Sequence, residues 1–564
     1  MKVRHLIACI LFSAAVFSCG KPQTLPLIPS GGGEKPSPVP MTWDAVSANP
    51  ASWDGEKRAS VTYQLLVYSF ADSDGDGWGD IKGITQHLDY LEGLGVSALW
   101  LSPIHPADSY HGYDVRDYYS VRKELGTEED LKELITEARK RGMVIYLDYV
   151  LNHTGEGHPW FKSARASAGS EYRDYYVISS SPQADIQAGK IPSLSSYDSN
   201  KWHLTASGSK DYYYGAFGGW MPDLNYGPLA SLQTNATFND LAASAKKWIE
   251  MGVGGFRLDA VLYLYEKNAP SGNAQFLKAW YERCNEYYKA IGHADDIYMV
   301  GEAWTGTDVM AQYYKGLPAL FDFEYWDRLS WALNSSIGRY FTKDVLNIRN
   351  ICKGVRSDFV EATKLTNHDQ TRAATTLGKS LNKEKLAACV LLTSPGSPYV
   401  YQGEELGYWG KVGHDGGKDE QVRTPVKWTR TGSVPSSWTN ASNIDKSMLS
   451  ADISVEAQSE KEGSLLKVYQ DFARLRNTYP ALALGEMSAH GTYNDSNDKQ
   501  QALAVWYMTS GSQKLLVVHN FSGSEITASF PSDKLTKAIG LNGTASIQGS
   551  SLKLGAYSSV IFEQ

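Results

Sequence analysis

The first two thirds of the chain alternate apolar runs with stretches of helical period. VTYQLLVYSF (61–70), VSALWLSPI (96–104) and MVIYLDYV (143–150) are continuous apolar runs of a length typical of buried strands. Between the first two runs, apolar residues recur every three or four positions, which predicts helix with one buried face. That face contains Ile81, Ile84, Leu88, Leu91 and Leu94.

Five further apolar runs continue the same order. They lie near 254–261, 297–303, 319–323, 363–367 and 398–402. Eight buried strands joined by helical crossovers predict an α/β fold of the (β/α)8 TIM barrel type. In such a barrel the active site lies at the carboxyl ends of the strands.

One connection is too long to be a simple loop. The roughly seventy residues between Asn152 and Asp223 are rich in Tyr, Ser, Gly and Trp and show no helical period. They predict a small excursion domain after strand 3, at 153–225, with the barrel occupying 46–152 and 226–480.

The end of the chain has a different pattern. Beyond a predicted helix around 464–477, short strands alternate with turns rich in Gly, Asn and Ser. The strands are ALAVWYM (502–508), KLLVVHN (514–520), EITASF (525–530) and SSVIFE (558–563). They predict a C-terminal antiparallel β-sandwich at 481–564.

The first 18 residues are typical of a secretory signal peptide. A basic start precedes an apolar stretch, 6–17, that is too short to span a bilayer. VFSCG follows and is similar to a loose bacterial lipobox, which predicts cleavage before Cys19 and lipid attachment to its thiol. The alternatives are ordinary signal cleavage and an uncleaved anchor. Residues 19–45 would form a Pro- and Gly-rich tether.

Composition excludes some classes of function. The chain has 564 residues, 42% hydrophobic and 21% charged, which is typical of a folded protein with a large core. Its net charge of −8 argues against a nucleic-acid partner. Cys284, Cys352 and Cys389 show no metal-ligand spacing; they are interpreted as buried free thiols, with one disulfide as the alternative.

Three motifs each place one carboxylate at the end of an apolar run. They are GFRLDAV (255–261), GEAW (301–304) and LTNHD (365–369), which contribute Asp259, Glu302 and Asp369. Three acids at strand ends of one barrel are typical of glycosidic-bond chemistry on a barrel scaffold. The alternative for any one acid alone is a structural ion pair.

A glycine-rich acidic loop suggests a calcium site. DSDGDGWGD (72–80) carries acids at alternate positions, and hard oxygen ligands suit Ca²⁺. The position that an EF-hand gives to glutamate is Gly83 here, so the loop is not an EF-hand. The predicted ligands are Asp72, Asp74, Asp76, Asp80 and the Trp78 carbonyl. The alternative is a solvated acidic turn.

The motifs together resemble the α-amylase family of glycoside hydrolases, from about residue 60 to the C-terminus. The resemblance is strongest to lipid-anchored outer-membrane α-amylases of Gram-negative starch-utilisation systems. It implies a retaining, endo-acting hydrolase of α-1,4-glucosidic bonds in starch and maltooligosaccharides. It also implies an outer-membrane location through the N-terminal lipid, with glycan-uptake proteins as possible partners at the cell surface.

The resemblance assigns a role to each acid. Asp259 would attack the anomeric carbon, with Arg257 holding the carboxylate ionised. Glu302 would protonate the leaving oxygen and then deprotonate water, which requires a raised pKa. Asp369 would stabilise the distorted, oxocarbenium-like sugar.

Further positions carry over from the family with their own roles. His153 and His368 would bind sugar hydroxyls, and Tyr113 would stack on the same sugar with His111 beside it. The alternative for Tyr113 is a tyrosine packed at the barrel rim. Lysine and histidine often follow the nucleophile motif in the family, whereas Leu262-Tyr263 stand here.

A second calcium site is also implied by the resemblance. Asn152 and Asp223 match the calcium-binding Asn and Asp of the family, and Tyr263 would offer its backbone carbonyl. The site would join the barrel to the excursion domain.

Other functions remain open at this level. An exo-acting α-glucosidase or a neopullulanase would share the acid trio, and MPDLN (221–225) favours the neopullulanase-like group. A surface glycan-binding protein on an inactive barrel is a third possibility. The complete trio argues against it, because a binder has no need of Glu302.

Overall fold

The computed structural model describes residues 39–40, 61–413, 419–440, 442–493 and 500–564. The predicted signal peptide, the lipidation at Cys19 and nearly all of the tether lie outside these residues. Among the helices described, none combines the length and the apolar character needed to cross a membrane.

Eight parallel strands close into the predicted barrel. They are β1 (Val61–Leu65), β2 (Val96–Leu101), β3 (Val144–Tyr149), β4 (Gly255–Leu258), β5 (Tyr298–Gly301), β6 (Ala319–Asp322), β7 (Val360–Lys364) and β8 (Ser397–Tyr401). Each strand pairs with the next in sequence, and β8 pairs with β1 to complete the circle. The carboxyl ends of all eight strands therefore meet at one face.

The first apolar run does not form one long strand. β1 ends at Leu65, and Val67–Phe70 is a short buried helix. After Leu65 the backbone N–H groups bond to side chains instead of to a neighbouring strand. The N–H of Leu66 donates to Gln402 Oε1 at 2.9 Å, and that of Val67 donates to Ser102 Oγ at 3.0 Å. A buried apolar run has no period with which to distinguish the two conformations.

Helices cover the outside of the barrel. The longer ones are Glu128–Lys140, Ala236–Met251, Ser271–Ala290, Phe323–Ser335, Arg339–Val355, Leu381–Thr393 and Leu465–Thr478. The stretch with helical period between the first two apolar runs forms two helices, Ile81–Gln86 and Leu88–Gly93. All five apolar residues predicted on its inner face are buried.

The excursion after β3 contains regular structure. Ile178–Ser179, Trp202–Leu204 and Tyr212–Tyr214 form a three-stranded antiparallel sheet. Two short helices, Pro159–Ala166 and Pro182–Gln187, correct the expectation of a region without helix. An antiparallel bridge between His153 and Asp223 returns the chain to the end of β3.

Two antiparallel sheets form the C-terminal region. One contains Glu486–Ala489, Leu503–Ser510, Gln513–Asn520, Ser559–Glu563 and Ala538–Asn542; the other contains Val39–Pro40, Ala545–Gln548, Ser551–Leu554 and Ile526–Ser529. Side chains of both sheets share one apolar core, as in the predicted sandwich. Val39–Pro40 falls within the predicted tether, so that tether includes a two-residue strand; an edge position tolerates proline.

The three cysteines of the described body are buried free thiols. This outcome confirms the preferred interpretation over a disulfide.

Candidate active site

Arg257 is the hub of the site. It lies on β4 with its side chain fully buried, and its Nη1 is 2.7 Å from Asp148 Oδ1 and 2.8 Å from Asp259 Oδ1. Its Nη2 is 2.8 Å from Glu302 Oε2, an ion pair whose angle does not meet hydrogen-bond geometry. One guanidinium therefore holds three carboxylates from β3, β4 and β5.

Main-chain contacts fix the two acids at the ends of β4 and β5. The N–H of Asp259 donates to the Tyr149 carbonyl at 3.1 Å, and that of Glu302 to the Leu258 carbonyl at 3.0 Å. Ala260 adopts φ +47°, a left-handed conformation that costs energy in a residue with a Cβ. This turn aims the Ala260 N–H at Glu302 Oε2, at 3.3 Å, so the strained position supports the acid.

A buried chain of hydrogen bonds leads from Arg257 to His368. Asp148 Oδ2 accepts from Trp100 Nε1 at 3.1 Å and from the Tyr113 hydroxyl at 2.9 Å. That hydroxyl lies 2.7 Å from His368 Nε2, and His368 Nδ1 lies 2.7 Å from Gln64 Nε2. The chain is satisfied throughout if Gln64 donates to Nδ1 and His368 donates from Nε2.

Asp369 has a guanidinium of its own. Arg423 Nη2 contacts Asp369 Oδ1 at 2.8 Å, while Asp369 Oδ2 lies 3.2 Å from His368 Nε2. The Asp369 side chain is 37% exposed, whereas those of Asp259 and Glu302 are 12% and 11% exposed. The structure therefore brings the three predicted acids together around Arg257 and Arg423.

The surroundings raise the pKa values of two of the acids and lower that of the third. Burial raises the pKa of Glu302 to about 7, with Asp259 and Asp369 adding to the effect, as the sequence analysis expected of a proton donor. Burial, Asp148 and Asp369 also raise the pKa of Asp259 to about 7. Arg257 acts in the expected direction and lowers the pKa of Asp259, but burial and the two neighbouring acids oppose it, and the guanidinium also contacts Asp148 and Glu302.

The third acid behaves in the opposite way. Burial would raise the pKa of Asp369, but His368, Arg423 and Arg257 outweigh it and lower that pKa to about 2. Asp369 is thus an anion at every working pH, while the shared cluster retains protons near neutrality.

The predicted substrate-binding histidines are neutral. Burial lowers the pKa of His153 to about 4, and burial with the nearby Arg423 lowers that of His111 to about 3. His153 is 2% exposed, its Nε2 has no hydrogen-bond partner among the described residues, and its ring lies 5.3 Å from that of Phe217. The His111 ring lies 5.8 Å from the ring of Tyr113, whose hydroxyl donates to Asp148 Oδ2 at 2.9 Å.

The acidic loop gathers three of its predicted ligands. Carboxylate oxygens of Asp72, Asp74 and Asp80 lie within 4.8 Å of one another, a donor set that fits Ca²⁺. Asp76 is outside this group, and its Oδ1 accepts the Trp78 N–H at 2.7 Å. The fit thus holds for three of the four carboxylates.

The second predicted calcium site contains one strongly perturbed acid. Asp223 is 4% exposed, and burial raises its pKa to about 8, with the neighbouring Asn152 opposing the change. Its Oδ1 accepts the Ala216 N–H at 2.9 Å. Tyr263 packs its ring on Phe217 at 4.7 Å. A buried carboxylate that lacks an adjacent cation among the described residues fits a bound metal ion.

Comparisons with known proteins identify the family. The family described as "Alpha amylase, catalytic domain" matches residues 64–485, and "Alpha-amylase SusG C-terminal domain" matches 503–561. The chain belongs to the α-amylase family. It is 40% identical to α-amylase SusG of Bacteroides thetaiotaomicron, covering 94% of this chain and 95% of that protein.

Two more proteins similar to this chain support the same family assignment. α-Amylase 3 of Dictyoglomus thermophilum is 35% identical, covering 89% of this chain and 93% of its own length. Among solved structures, Eubacterium rectale Amy13B superposes with a TM-score of 0.78 at 29% identity, covering 92% of this chain and 97% of that one. The protein is accordingly a glycoside hydrolase of this family.

Sequence reasoning missed two polar residues of this α-amylase-family site. Arg423 lies 54 residues after Asp369 in an irregular segment, and Gln64 contacts His368 across 304 residues. Neither carries a local spacing signal. Asp148, within the apolar run 143–150, accepts a hydrogen bond from Arg257 Nη1 at 2.7 Å.

Proposed function

We propose that this α-amylase-family enzyme hydrolyses α-1,4-glucosidic bonds of starch and maltooligosaccharides with retention of configuration and with endo action. The observation that carries the proposal is that Asp259 and Glu302 contact the two terminal nitrogens of one guanidinium, each at 2.8 Å. Sharing one planar group favours the carboxyl separation of about 5–5.5 Å used by retaining enzymes over the wider spacing of inverting ones.

In the first step Asp259 is the nucleophile and Glu302 the acid. Asp259 attacks the anomeric carbon as Glu302 donates its proton to the leaving glycosidic oxygen. The raised pKa of Glu302 supplies that proton near neutral pH. While Glu302 is a neutral carboxylic acid, Arg257 is not needed to balance its charge and compensates the charge of Asp259 instead.

In the second step Glu302 reverses its role. The deprotonated Glu302 takes a proton from water, which attacks the anomeric carbon and releases Asp259. Asp369 is an anion throughout and accepts hydrogen bonds from sugar hydroxyls, with the neutral His153 and His368 as further partners. Tyr113 and His111 form the adjacent wall.

Two exposed tryptophans support endo action. Trp304, two residues after Glu302, is 50% exposed and lies face to face with Phe323, with ring centroids 4.7 Å apart. Trp220 is 44% exposed and packs edge-on against His111 at 5.9 Å. Exposed aromatic faces near the acids suit stacking on glucose units beyond the scissile bond, which an endo-acting enzyme requires.

Calcium has a structural role in this proposal. Asp72, Asp74 and Asp80 would hold one ion, and Asn152 and Asp223 with the Tyr263 carbonyl would hold a second. A bound ion supplies positive charge that offsets these carboxylates and stiffens their loops. Neither site takes part in proton transfer.

The N-terminus supports an outer-membrane location. A signal peptide followed by Cys19 and a tether would hold the enzyme on the membrane by lipid, where starch and glycan-uptake proteins are accessible. Labelling with a radioactive fatty acid tests this, because a Cys19→Ser precursor should take up no label.

A product time course tests the specificity. We expect amylose to give a spread of intermediate maltooligosaccharides early, with α-anomers as first products by NMR. Early release of glucose alone would favour an exo-acting α-glucosidase, and panose from pullulan a neopullulanase. Asp259→Asn and Glu302→Gln should each abolish turnover; activity retained in either folded variant would reject the assignment.

A further inference from the structure

The third acid has a separate cationic partner. Asp259 and Glu302 share Arg257, whereas Asp369 Oδ1 contacts Arg423 Nη2 at 2.8 Å. His368 also approaches Asp369, but burial lowers its pKa to about 3, so it is neutral at working pH. Arg423 is therefore the positive charge in contact with Asp369 among the described residues.

Arg423 is itself held from several directions. Its Nε donates to the His368 carbonyl at 3.1 Å, and its Nη1 to the Tyr110 hydroxyl at 3.0 Å. Its Nη2 also lies 3.3 Å from Asp419 Oδ2, and the side chain is 4% exposed. A guanidinium fixed by three residues besides its acid has little freedom to follow a moving carboxylate.

The wall behind Arg423 is rigid and aromatic. Tyr110 packs against Tyr68 with ring centroids 5.3 Å apart and against Trp438 at 4.9 Å. Because interiors of this kind are closely packed, the position of the Tyr110 hydroxyl is set before substrate binds. The geometry thus anchors Asp369 to the loop that follows β8.

We propose that Arg423 is a positioning residue that holds the ionised carboxylate of Asp369 in the orientation required by the distorted sugar. The inference rests on the proposed hydrolysis. A carboxylate held in place beforehand stabilises the transition state, where positive charge develops on the sugar, more than the bound substrate. Loss of Arg423 should therefore lower kcat more than it weakens binding.

The test compares two substitutions with a matched control. Arg423→Met removes the charge, and Arg423→Lys keeps a charge without the fork that reaches several acceptors. The control is Arg372→Lys, because Arg372 is also buried and donates to the Gln402 and Val422 carbonyls on the same loop. kcat and KM are measured on maltoheptaose, and binding of the same sugar by calorimetry in a Glu302→Gln background.

We expect Arg423→Met to lower kcat by about 100-fold, with KM within about threefold of wild type and calorimetric affinity within about threefold of the Glu302→Gln parent. Arg423→Lys should recover about tenfold of that loss, and Arg372→Lys should keep kcat within about twofold. If Arg423→Met is unfolded by circular dichroism, Arg423→Lys decides alone. A folded Arg423→Lys variant with wild-type kcat overturns the inference.

A double-mutant cycle separates positioning from a general structural effect. In an Asp369→Asn background Arg423 no longer has the carboxylate of residue 369 to position and keeps its contact with Asp419, so Arg423→Met should cost less than about threefold. An equal loss in both backgrounds would contradict the proposal. Wild-type enzyme inactive on maltoheptaose would instead reject the proposed function, so the two failures are distinguishable.

Discussion

Removing the charge of Asp148 should move the pH profile without touching the two reacting acids. Asp148 is fully buried, and its Oδ1 shares Arg257 Nη1 with Asp259 Oδ1. Its negative charge is one of the causes that raise the pKa of Asp259. Asp148→Asn should therefore lower that pKa, so that Asp259 stays ionised at lower pH and the acid limb of kcat/KM moves to lower pH.

The size of the movement follows from the contacts. The two Oδ1 atoms lie 2.7 and 2.8 Å from the same nitrogen, so the distance between them cannot exceed the sum of these two distances. At about 5 Å and an effective dielectric constant of about 20, like unit charges repel by about 3 kcal/mol, or about two pH units. Arg257 lies between them and reduces this, so we expect a movement of about one to two pH units.

The assay is kcat/KM on a soluble maltooligosaccharide from pH 4 to 9. The wild type should give a narrow bell near pH 7, since the pKa values of Asp259 and Glu302 are both about 7. Asp322→Asn is the control: Asp322 is buried at the end of β6, and its Oδ1 accepts the Tyr325 N–H at 3.0 Å, a bond that the amide oxygen of asparagine keeps. An acid limb of Asp148→Asn that stays in place or moves to higher pH would refute the reasoning.

The remaining predictions concern Trp304, proposed to stack on glucose units beyond the scissile bond, and the metal sites. Trp304→Ala should lower kcat/KM on amylose by about tenfold and on maltotriose far less, because about 1–1.5 kcal/mol of stacking is lost only with long chains. Equal losses on the two substrates would exclude stacking of Trp304 on glucose units beyond the scissile bond. Chelation should lower the melting temperature of wild type but not of Asp74→Asn, whose amide oxygen keeps the bond to the Asp76 N–H; equal wild-type melting with and without chelator would exclude the site. Asp223 binds its proton more tightly folded than unfolded, so stability falls between about pH 4 and 8 without metal. In excess chelator at pH 8, Asp223→Asn should therefore melt above wild type and lose that advantage at pH 4; lower melting at pH 8 would contradict the burial argument.

The sequence predicted the barrel well because its evidence is local. Each buried strand is a separate apolar run, and the acids Asp259, Glu302 and Asp369 follow three of those runs directly. Strand ends of a closed parallel barrel meet at one face, so the acids could be placed together without coordinates. The helix at Val67–Phe70 was missed because it is buried on every side and so shows no period.

Charge balance was harder to predict than position. The motif GFRLDAV places Arg257 beside Asp259, but it does not reveal that Asp148 and Glu302 claim the same guanidinium. Similarly, Arg423 meets Asp369 only through the folding of the segment after β8. Such contacts depend on distances between remote loops, which no sequence spacing encodes.

The central claim is that Asp259 forms a covalent bond to the sugar while Glu302 handles the proton. Mass spectrometry of the Glu302→Gln variant after treatment with an α-maltosyl fluoride tests it directly, since the activated leaving group needs no acid and the variant lacks a base for release. The account predicts a glycosyl ester on the peptide containing Asp259 and none in Asp259→Asn/Glu302→Gln. An ester on another residue, or turnover of the fluoride without any ester, would contradict it.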